Sequence, residues 1–112
     1  MKKITLFCLL SIASYQSIAY AANPPIISNF WVSTNLQKNE CLAKASEAVK
    51  TVGFTKRFSS TNNDVFGVTP DMKYTGQILC ITEKGVAVFN VAGEIWGKSH
   101  SYTKQLHKEF IK

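Results

Sequence analysis

The chain has 112 residues, with 13 Lys and Arg against 7 Asp and Glu, a formal net charge of +6. That length holds one small domain and excludes two. The positive excess is mild: it is compatible with nucleic acid, an anionic cell envelope or an acidic protein partner, and it demands none of them.

The first element is a targeting segment. Lys2 and Lys3 precede an apolar run from Ile4 to Ala13, and Ala19-Tyr20-Ala21 has the A-x-A form that signal peptidase requires. Cleavage is expected after Ala21, with Ala19 as the minor alternative. The apolar run is shorter than the ~20 residues of a spanning helix, and Ser11, Ser14, Gln16 and Ser17 interrupt it. The expected product is exported, periplasmic or secreted, with no membrane insertion after processing. Removing 21 of the 112 residues leaves 91, and Lys2 and Lys3 leave with them, so the charge falls to +4. Residues 22–112 then form a single small domain. A chain of that size hides only about 60–65% of its unfolded surface, so a covalent staple would help its thin core. Cys41 and Cys80 are the two cysteines that remain. An even count in an exported protein predicts a disulfide between them.

Along the mature part, Ile26 to Leu36 is β-branched and aromatic and predicts a strand, with Phe30 and Val32 on one face and Ile27 and Trp31 on the other. A helix follows, with Asn39 as its expected N-cap and Glu40 at the positive end of its dipole. Cys41, Ala45, Ala48, Val49 and Val52 recur on one apolar stripe, and Gly53 supplies the left-handed stop. Strands are expected at Phe54–Ser60 and Val65–Val68, the second weakened by Gly67. A longer one runs from about Lys73 to Thr82, and a loop of Glu83, Lys84 and Gly85 returns the chain as Val86–Ala92. From Ser99 onward a final helix places Tyr102, Leu106 and Phe110 four apart on its inner side. The order β-α-β-β-β-β-α makes an α+β two-layer sandwich: an antiparallel sheet of four to five strands, two helices on one face, one disulfide.

The cysteines orient the sheet. Cys41 lies on the apolar stripe of the first helix, so a bridge draws the Cys80 side of the sheet beneath the helices. With a three-residue loop, Thr82 faces Val86, Cys80 faces Val88 and Ile78 faces Asn90. Leu79, Ile81, Phe89 and Val91 then form an open apolar face, the candidate surface for a protein partner or self-association. Two alternatives stand beside it: loops, Trp31 or the N-terminal lead cover that face, or the sheet is turned over with both cysteines unpaired.

The residues offer little for catalysis. His100 and His107 are the sole histidines, both in the last helix and expected to face solvent. With Lys104 and Lys108 they make a candidate basic face. Ser99 and Ser101 beside His100 lack a nucleophile-elbow context. No C-x-x-C, H-x-x-x-H or H-E-x-x-H spacing occurs, so no metal and no cofactor are expected. The candidate sheet face is mostly aliphatic, and Lys56-Arg57 is the one adjacent Lys/Arg pair of the mature chain. With export, this argues against nucleic acid. The expected function is a non-catalytic binding module acting by protein–protein contact, an inhibitor or immunity-type protein in its most concrete form. The runner-up is a small secreted enzyme or effector with a polar site near the C-terminal helix.

Overall fold

A computed structural model describes residues 25–112. The expected signal segment, its cleavage point and Cys8 lie outside the described residues. The elements are β1 (Ile26–Ser33), α1 (Lys38–Val52), β2 (Lys56–Ser60), β3 (Asp64–Val68), β4 (Tyr74–Ile81), β5 (Val86–Gly93) and α2 (Trp96–Phe110). The β-α-β-β-β-β-α order is the expected one. The five strands form one antiparallel sheet in the order β1-β5-β4-β3-β2. β1 and β2 are neighbours in the chain but opposite edges of the sheet, and α1 carries the chain across between them. α1 packs on β3 and β4, α2 packs on β1 and β5, and the helices touch each other.

The helix boundaries shift by a turn or less. α1 starts two residues before the expected point, with Gln37 as its N-cap, while Asn39 Oδ1 accepts from the Glu40 N–H instead. Its stop is the expected one: Gly53 has φ +119°, and the Phe54 N–H reaches back to the Val49 carbonyl at 3.0 Å. Cys41, Ala45, Ala48 and Val49 are buried, and the small alanines bring the helix close to the sheet. α2 starts at Trp96, so Trp96 and Gly97 belong to its first turn and not to a connection. Leu106 and Phe110 are buried on its inner side, with Tyr102 half-buried beside them. Between β3 and β4, the Thr69 hydroxyl and the Lys73 N–H both donate to Asp71 Oδ1 and hold that carboxyl below its ordinary range.

The β4–β5 connection departs from expectation, and the departure turns over one strand. Thr82–Lys84 form a 3-10 turn closed by Gly85, which has φ +68° and donates its N–H to the Thr82 carbonyl. The loop therefore has four residues, and Ile81 faces Val86, Cys80 faces Ala87, and Ile78 faces Phe89. A one-residue slip moves every side chain of a strand to the other face. β4 keeps its expected orientation: Ile78 and Cys80 point inward, Leu79 and Ile81 outward. β5 does not. Ala87, Phe89 and Val91 share the inner face and are fully buried, while Val86, Val88, Asn90 and Ala92 point outward. Phe89 and Val91 are thus core residues, and the candidate partner face loses them.

The disulfide is formed between Cys41 and Cys80, with Cα atoms 6.0 Å apart. It joins the first turn of α1 to the middle strand, which excludes the turned-over sheet. On the same inner face, Gly67 of β3 is opposite Gly76 of β4. The pair leaves a notch in the inner face that holds the fully buried Phe54. A Cβ on Gly76 would stand 2.7–2.8 Å from three atoms of the Phe54 ring, and one on Gly67 would overlap the Phe54 carbonyl. The glycine that weakens a strand by propensity here admits Phe54, the residue after the helix-ending Gly53. Gly76→Ala is expected to cost about 1–3 kcal/mol through overpacking, read as a lower urea midpoint with an unchanged slope.

Candidate functional site

Neither helix covers the outer face of the sheet, and its side chains can be followed row by row across the strands. One row runs Trp31, Val88, Leu79, Asp64. The next runs Asn29, Asn90, Gln77, Phe66, Ser59. A third begins Ile27, Ala92, Thr75, Val68. At the edge, Ile27 and Trp31 are 63% and 61% exposed, whereas Val88, Leu79 and Ile81 are half-buried by their neighbours.

A line of hydrogen bonds crosses this apolar surface. Asn29 Nδ2 donates to Asn90 Oδ1, Asn90 Nδ2 to Gln77 Oε1 at 3.2 Å, and Gln77 Nε2 to Asp64 Oδ2 at 2.7 Å. Thr61 donates its hydroxyl to the other Asp64 oxygen. Each amide in the line donates toward Asp64, so the line ends in a carboxylate at β3 and in the Asn29 amide at the β1 edge. Ile27, Ala92, Thr75 and Phe66 flank it around a shallow hollow of about 560 Å³. The surface is therefore amphipathic, with apolar patches on both sides of a polar line. Such a face offers area for burial together with oriented amides for specificity.

The two edges of the sheet differ. β2 carries Lys56 and Arg57, Arg57 has φ +49°, and the β2–β3 register breaks between Lys56 and Ser59. Charge and irregularity of that kind discourage strand addition. β1 is eight residues of unbroken strand, IISNFWVS, with no charge and no proline. Among the described residues it pairs with β5 alone.

The candidate basic face lies along this same edge, on the helix side. His100, Lys104 and His107 of α2 meet Asn29 and Phe30 of β1, with Thr103 behind them, around a hollow of about 260 Å³. Lys108 is exposed one step further round the helix and does not line it. The histidines are half-buried and not the expected solvent-facing pair. The His107 ring sits 4.9 Å from Phe30 and 5.6 Å from Phe89, and His100 stacks on Trp96 at 4.9 Å.

For catalysis, both cysteines are consumed by the bridge, so neither supplies a thiolate. Ser99 Oγ is buried and without a hydrogen-bond partner, closed off from any substrate. Among the described residues, no three His, Cys, Asp or Glu side chains gather as metal ligands.

Of the four residues expected on the partner face, Leu79 and Ile81 are there. The sequence reading missed Val88, Asn90, Gln77 and Asp64. A signal for them existed: Asn90 is the one polar residue of β5 and Gln77 directly precedes the apolar run of β4, and only the four-residue loop sets them opposite each other. No protein-family model matches the chain, and comparison with curated proteins returns no relative.

Proposed function

We propose that this protein is an exported, non-catalytic binding module that acts by protein–protein contact, with an inhibitor or immunity-type protein as its concrete form. The observation that carries this reading is the sheet face that the described residues leave uncovered. Ile27 and Trp31 stay mostly exposed there, Trp31 in line with Val88 and Leu79 and Ile27 on the other side of the amide line, and exposed apolar area of this kind marks an interaction site. Export is supported by the signal-like first 21 residues and by the disulfide, which belongs to oxidising compartments. No described helix is long and apolar enough to cross a membrane. The competing enzyme reading has the hollow beside His100 to offer, but the bridged cysteines and the sealed Ser99 remove its best nucleophiles.

Trp31→Asp and Val88→Asp test the reading. Both are expected to fold with the disulfide intact and to lose, by tenfold or more, a partner that the wild-type protein captures from its own cell envelope. Ala43→Asp, on the exposed side of α1, should keep it. Retention by both sheet variants would overturn the reading.

A further inference from the structure

We infer that the edge of β1 left unpaired by the described residues takes an extended acidic segment of a partner protein as a sixth strand, its carboxylates lying beneath Lys104 and the two histidines of α2. This rests on the binding-module reading and specifies its contact. Three observations meet at this edge. The first is the contrast between edges: β2 is guarded by Lys56, Arg57 and a break in register, and β1 is long, regular and uncharged. An exposed edge of that kind offers a row of backbone donors and acceptors to an incoming strand.

The second is the end of the amide line. Asn29 Nδ2 donates inward to Asn90, so its Oδ1 remains as an acceptor at the edge where a sixth strand would lie. The third is charge. The hollow between β1 and α2 is lined by His100, Lys104 and His107 with Asn29, Phe30 and Thr103, and no acidic side chain is among them. Glu83 and Glu94, which follow the strands near the two ends of β1, are already paired with Lys38 and Lys73. Alternate residues of an added strand face the helix layer, which puts every second side chain of the segment under the basic row. Phe30, 42% exposed beside that row, gives their aliphatic stems an apolar surface. A second copy of this chain fits poorly, because strand pairing about a two-fold axis sets two Lys104 side chains on the same side of the joined sheet with no acidic partner between them.

The probe is a blocked eight-residue peptide alternating valine and glutamate, with a valine–lysine counterpart and two versions N-methylated on one or the other alternate set of amides. Added to the exported protein, the glutamate peptide is expected to slow amide hydrogen exchange across Ile26–Ser33 tenfold or more. Lys104→Glu should weaken binding at least tenfold, and one of the N-methylated peptides should lose it. Equal binding of the lysine peptide, protection confined to Lys56–Ser60, no protection of β1 at millimolar peptide, or pairing of two copies through β1 without peptide would each overturn the inference. If Val88→Asp still releases the envelope partner while β1 gains no protection, the binding-module reading stands and the edge inference falls.

Discussion

Phe89→Asp is expected to abolish folding, and Val88→Asp, one residue away, to leave it nearly untouched. The Phe89 side chain is fully buried, with ring centroids 5.3 Å from Phe110, 5.6 Å from His107 and 6.1 Å from Phe30. It connects β5, α2 and the β1 edge in one cluster. Truncation to alanine alone would cost about 3–5 kcal/mol. An aspartate adds the burial of a carboxylate with no partner charge, a further cost of several kcal/mol. Small domains are stabilised by about 5–15 kcal/mol in total, and a thin-cored chain of this size lies toward the lower end, so the sum takes most or all of its stability. Val88 points to the outer face, where a carboxylate remains hydrated. The pair is a direct test of register. A three-residue loop would exchange the two outcomes, making Val88→Asp the disruptive change. Near-UV circular dichroism and a urea unfolding curve of each variant decide it: the expected result is no cooperative transition for Phe89→Asp and a wild-type-like midpoint for Val88→Asp.

The second large effect belongs to the disulfide. Cys41 and Cys80 are separated by 39 positions, and closing a loop of that length removes chain entropy worth about 4 kcal/mol from the unfolded state. For a domain of this size, that corresponds to a fall in Tm of roughly 15–30 °C in a Cys41→Ala/Cys80→Ala variant. Both sulfurs are also in the core, so the substitution leaves some unfilled space. Reduction of the wild-type protein should reproduce most of the loss, because it frees the chain without deleting atoms. Thiol titration of the unfolded, unreduced protein lacking residues 1–21, and with them Cys8, should find none. Two titratable thiols, or a Tm unchanged by reduction, would show that the bridge does not form.

The elements themselves were legible because each is written in local terms. α1 has a stripe at helical spacing and a terminating glycine, and β4 and β5 are largely apolar runs bounded by turn residues. The facing of β4 was legible too, since Cys41 on the apolar stripe of α1 already orients Cys80 and, with it, Leu79 and Ile81. The facing of β5 was not, because it depends on the length of the loop before it. Glu83-Lys84-Gly85 is an acceptable three-residue connection by composition, and Thr82 is an acceptable strand end. The 3-10 turn takes Thr82 into the loop because the resulting register buries Phe89 and Val91 and puts Asn90 beside Gln77, where its amide finds partners. The rejected register would have placed the Asn90 amide under the helices. That energy difference is spread over a whole strand and cannot be read at the turn.

The edges and the basic row divide in the same way. That β1 is uncharged and that Lys56-Arg57 is basic are facts of sequence, but that both strands are edges follows from the order β1-β5-β4-β3-β2. The histidine row was visible as a helix face, and its meeting with Phe30 and Asn29 was not. By itself the sequence determined the kinds and order of the elements, the pairing of Cys41 with Cys80 and the direction in which β4 faces. Those depend on spacing within ten or so residues and on a count of two. Tertiary structure decided the facing of β5, the neighbours of β1 and hence the composition of the open surface. These depend on which of two closely balanced registers buries the larger apolar side chains and leaves no amide unpaired.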